Sequence, residues 1–170
     1  MAYDPRRGVE RNNSAPYNNR RGVQQASWNN RFGEQDERTK MEEPATLPID
    51  YVDEAKRALV ELRKENKFEK FDITTSKLRA IHALVADIYN AENLRTEAEL
   101  LEESQLKLMR LRVRIVYDAG REKAVMRFVE KTNLLNYIKG IGKNRAEMIR
   151  FAHYMEALVA YHRFLGGREC

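Results

Sequence analysis

The chain has a single cysteine, and it is the last residue, Cys170. A disulfide framework is thereby excluded within one molecule, as is a thiolate metal site, which needs several ligands at set spacings. No apolar run approaches the roughly 20 residues that span a bilayer. The opening residues, MAYDPRRGVERNN, hold no apolar core of a secretory signal. A reducing cytoplasm and no membrane are the expectation. Histidine is scarce too: His82, His153 and His162. The last two are nine residues apart on one helical pattern, roughly 180° around its axis, so they cannot share a metal or a proton. His162 lies among apolar positions and reads as a satisfied core or interface histidine, and His82 is read the same way. A nucleophile elbow, a phosphate loop and a carboxylate cluster at ligand spacing are all missing. No catalytic residue, cofactor or metal is expected.

Charge, by contrast, is abundant. Charged residues make up 34% of the 170, and the formal net charge is +5 with a pI near 9.3. An excess that small acts on a partner only where it is clustered. The clearest cluster is QLKLMRLRVRIVYDAGR, residues 105 to 121. At about 100° per residue it is a two-faced helix. Leu108, Leu111, Ile115 and Ala119 form an apolar stripe, and Lys107, Arg110 and Arg114 share the other side with Asp118 and Arg121. Gly120 is expected to end the helix in the left-handed region, which a residue without Cβ enters cheaply. Arg112 falls among the apolar residues. There a guanidinium needs a carboxylate, with Asp87 and Glu156 as candidates, or a seam leading out to a phosphate or partner. The structural role is favoured, because burial strips the charge of water.

Residues 1 to 46 hold almost no aliphatic side chains and many Asn, Arg, Gly and Gln. That composition cannot offset the entropy of ordering, so a disordered leader is expected. Arg6-Arg7-Gly8-Val9 is echoed by Arg20-Arg21-Gly22-Val23, with Tyr17, Trp28 and Phe32 interleaved. Arg-Gly units with aromatics suit a loose RNA-binding tail, and a plain soluble leader suits the same composition.

From residue 47 to 168 the pattern is helical throughout. One helix runs from Asp50 to Asn66, with Val52, Ala55, Leu59 and Leu62 on its apolar side. A second is capped by Thr74 or Thr75 and carries Leu78, Ile81, Val85, Ile88 and Tyr89. Residues 93 to 103, rich in Glu, Leu and Ala, read as helical before the central helix. A further helix holds Val125, Phe128, Val129, Leu135 and Ile138, with a kink near Thr132-Asn133. The last, residues 144 to 165, buries Met148, Ile149, Phe151, Met155, Leu158 and Val159, and Gly166-Gly167 stops it. The fold class is an all-α compact bundle of five to six helices.

One local pattern suggests duplex DNA. Residues 134 to 149, LLNYIKGIGKNRAEMI, match a helix-hairpin-helix, in which a Gly-apolar-Gly turn brings backbone close to a phosphate. Lys143 and Arg145 would add charge. The motif is short and occurs once, whereas such modules usually work in pairs, and a tight turn between antiparallel helices explains it equally. A stand-alone DNA-binding protein is therefore the alternative reading.

Several strings, in order, are familiar together. Thr74-Thr75-Ser76-Lys77-Leu78-Arg79 opens the second helix. Leu111-Arg112-Val113, Val116-Tyr117 and Ala119-Gly120-Arg121 end the third. Phe151, then Tyr154-Met155-Glu156-Ala157-Leu158-Val159-Ala160-Tyr161, lead through Phe164 to Gly166-Gly167. Together they resemble the small helical subunit of the type III-A CRISPR effector, the Csm complex, over residues 48 to 168. The resemblance implies an antiviral-defence subunit without catalytic activity. Its copies line the guide RNA–target RNA channel of a ribonucleoprotein, beside one another and the other subunits. It makes Arg110, Arg114 and Arg121 the first candidates for RNA phosphates, Lys77 and Arg79 the second, and Lys143, Arg145 and Arg150 the third. Arg112, Tyr117, Tyr161 and His162 are then structural or interface residues. The long leader and the Gly140-Ile141-Gly142 turn depart from the family's pattern.

Overall fold

A computed structural model describes residues 43–68 and 70–169, and the readings made of residues 1–42 lie outside the described residues. Within them the chain forms six helices: α1 (Tyr51–Lys64), α2 (Thr75–Glu92), α3 (Glu102–Arg121), α4 (Lys123–Lys131), α5 (Leu134–Ile141) and α6 (Arg145–Phe164). The only β-type pairing among the described residues is an isolated bridge between Glu99 and Asn144. The all-α reading holds.

The apolar stripes explain the packing. α6 lies against α1, α2 and α5, α3 packs on α2, α4 and α5, and α4 closes on α1. Leu59, Leu78, Ile88, Ile115, Phe128, Leu134, Met148, Phe151, Tyr154 and Leu158 are almost wholly covered. Val52 turns partly outward, and Ile149 and Val159 are half-buried. Thr74 caps α2 as expected. Its backbone is extended and its side chain accepts from the Lys77 amide at 3.2 Å, filling one of the donors a helix start leaves open.

Four local expectations are modified. Residues 102–103 belong to α3, but 93–101 are not helical. Helix propensity is a weak preference, and here tertiary contacts capture the backbone groups a helix would use. The Leu100 amide donates to the Lys143 carbonyl (2.9 Å), and the Arg145 amide to that of Ala98 (2.9 Å). Gly120 is not a left-handed cap. α3 runs through it to Arg121, and one extended residue, Glu122 (φ −125°, ψ 113°), turns the chain straight into α4. The kink near Asn133 is a full break, with that residue in the left-handed region at φ 51°, ψ 31°. The packed unit also takes in residues before 47. The Ala45 amide donates to the Asn136 carbonyl at 3.0 Å, and Leu47 is buried.

That crossing accounts for Gly140. A Cβ there would overlap the backbone carbonyl of Ala45, so the glycine allows the 43–48 segment to pass over α5. Gly142 supplies the turn itself, at φ 53°.

Candidate nucleic-acid interface

α3 is the site's frame. Its buried side is made by Ser104, Leu108, Leu111, Ile115, Asp118 and Ala119. Asp118, which the periodicity sets beside the basic residues, is covered, its side chain 7% exposed. It accepts from Arg114 Nε at 3.0 Å. The bond uses one edge of the guanidinium and leaves the rest of an exposed group directed outward. Arg121, two helical turns beyond Arg114, lies over the ring of Tyr117 with 5.4 Å from its central carbon to the ring centroid. Its Nη1 also donates to the Tyr117 hydroxyl at 3.2 Å. A cation–π contact of this kind holds a long side chain in one orientation. Arg110 is exposed and makes no ion pair among the described residues. These three arginines therefore stand on one side of a rigid helix.

Lys107 does not belong to that row. Its ammonium bridges Asp87 of α2 (3.0 Å) and Glu103 (3.1 Å), which raise its pKa above the ordinary lysine value, Asp87 first. Asp87 is thus engaged by Lys107.

The other candidate cations divide by position. Lys77 reaches from the start of α2 to Glu122 at 2.7 Å, so it sits by the Arg121 end of α3. Arg79 pairs with Glu169 at 3.0 Å. Both pairs are at the surface, where such bonds are weak and exchangeable. Arg150 is held by Glu147 (2.8 Å) and the Leu47 carbonyl (3.3 Å). Arg145 is held most firmly, Nε on the Glu97 carbonyl (2.7 Å) and Nη1 on that of Glu92 (3.0 Å). Lys143 is exposed and pairs with no carboxylate among the described residues. It lies near the opposite end of α3 from Lys77, because its carbonyl receives the Leu100 amide.

Around Arg145 is a polar cluster that the sequence reading missed. The Glu92 side chain is fully covered. It accepts from the Leu101 amide at 2.9 Å, from Arg95 Nη1 at 2.6 Å, and from the Ser104 hydroxyl. Burial pushes its pKa up, but these hydrogen bonds outweigh that and hold it below the usual carboxylate value. A carboxylate on the free amide at the start of α3 is also favoured by the helix dipole. Nothing in the spacing of Glu92, which ends α2, announces this role.

The same contacts bear on the hairpin reading. At the start of α6 the Asn144 amide donates to the Ile141 carbonyl (2.8 Å), that of Arg145 to Ala98, and that of Glu147 to the Asn144 side chain (3.2 Å). Three of the donors a phosphate would use there, the amides of Asn144, Arg145 and Glu147, are engaged by the protein itself, which favours the tight-turn explanation.

His162 is a core histidine, with no exposure. Nε2 lies 3.0 Å from the Ile73 carbonyl and Nδ1 3.2 Å from the Thr75 hydroxyl. A carbonyl only accepts, so Nε2 carries the hydrogen and Nδ1 receives that of Thr75. Burial lowers the pKa, with the Ile73 bond opposing. His153 stands between the rings of Tyr51 (6.2 Å) and Tyr89 (5.5 Å). Tyr161 is half-buried and meets Phe164 edge-on at 6.5 Å, and His82 is half-buried on α2. Tyr117 is exposed, and Arg112 half-buried. Among the described residues no group of three or more His, Cys, Asp or Glu side chains could hold a metal, and no helix is long and apolar enough to cross a membrane.

Sequence comparison places this arrangement in a known group. Residues 51–168 match the family described as Csm2 Type III-A. The chain is 42% identical over 119 residues to the CRISPR system Cms protein Csm2 of Streptococcus thermophilus, covering 70% of this chain and 93% of that protein. The protein of the same name from Mycobacterium tuberculosis (strain CDC 1551 / Oshkosh) is 38% identical over 125 residues, 74% of this chain and 98% of its own length. The one from Enterococcus italicus is 35% identical over 94 residues, 54% of this chain and 67% of that protein. With the match running from the start of α1 to just beyond α6, the chain belongs to the Csm2 family of type III-A CRISPR systems.

Proposed function

We propose that this chain is a non-catalytic, cytoplasmic small subunit of a type III-A CRISPR ribonucleoprotein, and that it steadies target RNA against the guide RNA through phosphate contacts. Its partners are the guide and target RNA, the other subunits, and neighbouring copies of itself. The observation that carries the reading is the row Arg110, Arg114 and Arg121 on the exposed side of α3, with Arg114 oriented by Asp118 and Arg121 by Tyr117. Cations already held in position lose little freedom when a phosphate arrives, and planar guanidinium groups meet phosphate oxygens in pairs. Contacts of this kind fix register without reading bases. Lys77 and Arg79, whose surface partners a phosphate can replace, extend the track. Lys143, Arg145 and Arg150 are its third group, with Lys143 the most available.

The test is the triple change of Arg110, Arg114 and Arg121 to Ala in the assembled complex, with target-RNA retention measured across salt. Each lost phosphate contact should reduce the slope of log affinity against log salt by roughly 0.7. Unchanged affinity and slope would remove the row from the RNA surface. The alternative, a stand-alone duplex-DNA binder using residues 134–149, predicts that the isolated protein prefers duplex DNA and does not co-purify with guide RNA.

A further inference from the structure

The connection from α1 to α2 carries a second cationic surface, off the α3 row. Lys64, Lys67 and Lys70 are exposed there and make no ion pair among the described residues. Phe68, set among them, is 78% exposed. The tip reads Asn66-Lys67-Phe68-Glu69-Lys70, with one acid. Both ends of the turn are fastened. From α4, Lys131 pairs with Glu65 at 2.5 Å and Arg127 with Asp72 at 2.8 Å. Asn66 Nδ2 donates to Asp72 at 2.7 Å, and Asn66 Oδ1 accepts from the Phe68 amide at 2.9 Å. Phe71 packs on the buried His162 ring, 4.4 Å between centroids. Two phenylalanines three residues apart are thus used differently: Phe71 anchors the turn, and Phe68 is held out in water. A single exposed apolar side chain is ordinary. One presented among unpaired ammonium groups, on a turn pinned by polar contacts, has the composition of a nucleic-acid contact.

We propose that this turn is a stacking site for unpaired nucleotides of a single strand, at the Arg121 end of the α3 row. α4, which holds the turn, follows α3 after the one residue Glu122, and Lys77 beyond the turn pairs with Glu122. Lys123 and Arg127, exposed on α4, continue the positive charge from Arg121 toward Asp72. The aromatic face of Phe68 takes a base, and the ammonium groups of Lys64, Lys67 and Lys70 take neighbouring phosphates. Glu65 and Asp72 are each paired with a cation of α4, which lessens their repulsion of a strand. Paired bases are stacked on one another and leave no free face. Phe68 therefore distinguishes unpaired from paired nucleotides, which phosphate contacts alone do not. Resting on the nucleic-acid reading above, the site adds the class of strand and the group that touches its bases.

The test compares binding of the full chain to a short single-stranded RNA of mixed sequence, the same strand as DNA, and a blunt RNA duplex. Phe68→Ala should weaken binding of the single-stranded RNA roughly tenfold, within the range for losing one base–aromatic stack. It should leave duplex binding and the thermal midpoint unchanged. The slope of log affinity against log salt should also stay, because a stack releases no counterion. Lys67→Ala and Lys70→Ala should each lower that slope by roughly 0.7. In a Trp28→Phe background, Phe68→Trp should retain affinity, and its fluorescence should be quenched as the strand binds. A Phe68→Ala loss shared by DNA assigns the site to single strands in general, and one confined to RNA assigns it to RNA. Unchanged affinity of Phe68→Ala for single strands overturns the proposal, as does an equal loss on the duplex, or a parent chain that binds no single strand at low salt. Loss of co-purifying subunits from Phe68→Ala, with strand binding intact, would make the turn a protein contact and overturn it too. Failure of the α3 row is read separately: its triple variant would then keep the parental salt slope, while Phe68→Ala still loses the stack.

Discussion

Gly167 lies against the imidazole of His162 so closely that a Cβ at that position would clash with the ring's Cε1 and Nδ1 atoms. The contact locks three parts of the chain together. The Gly167 amide donates to the His162 carbonyl at 2.8 Å, the Thr75 amide to that of Arg168 at 2.7 Å, and the His162 ring holds Ile73 and Thr75. The residues after α6 are thereby fastened to the start of α2, next to Lys77.

Gly167→Ala should therefore destabilise the bundle by about 1–3 kcal/mol, the usual range for overpacking a filled site. Denaturant midpoints read this directly. Retention of parental stability would mean that the ring and the chain end move apart freely.

The same substitution at Gly120 should have the opposite sign. That residue is helical and exposed, and a Cβ there meets nothing within 4 Å. Replacing a glycine in a helix's last turn by alanine should stabilise by about 0.5 kcal/mol. A loss of stability in Gly120→Ala would argue against a continuous α3.

His162 should make stability depend on pH near neutrality. Its folded pKa is depressed, so below the ordinary value of 6.5 the unfolded chain binds a proton that the native protein refuses. Stability is full above pH 6.5 and falls as pH drops toward the depressed value. In His162→Gln the thermal midpoint should be lower overall but flat across that window.

Glu92 should act in a separate, more acidic window. Its folded pKa is lowered, so its contribution is present above the ordinary value of 4.5 and disappears as pH falls through the depressed value. Glu92→Gln should cost about 2 kcal/mol at pH 7, the scale of a hydrogen-bonded charged group. The midpoint of the variant should lose its dependence on pH below 4.5 from this group, which titration by circular dichroism measures.

Arg145 and Arg110 should separate stability from binding. Arg145→Ala removes the side-chain donor of the Glu97 carbonyl and one of the two donors of the Glu92 carbonyl, which keeps the Arg95 amide at 3.1 Å, and should lower the thermal midpoint. Arg110 is exposed and makes no ion pair among the described residues, so the midpoint of Arg110→Ala should match the parent while RNA retention falls. A reversed pattern would exchange the roles of the two residues.

Much of this was legible in the residues themselves. Thr74 followed by Leu78, Ile81, Val85 and Ile88 specifies a capped amphipathic helix through neighbours within two turns, and α2 is that helix. The buried stripe of α3 and the core position of His162 follow from the same local periodicity. Other features depend on atoms far apart in sequence. Residues 93–101 have helical composition yet remain open, because Arg145 and Lys143, more than forty positions on, hold their backbone. Arg110 and Arg145 are indistinguishable as basic side chains, and only the carbonyls of Glu92 and Glu97 tie one of them to the fold. Local periodicity determines which side of a helix turns inward. Tertiary packing decides which of the remaining sides is left without a neighbour, and on α3 it leaves both the arginine row and the apolar side chains of Leu106, Met109, Val113 and Val116 in solvent.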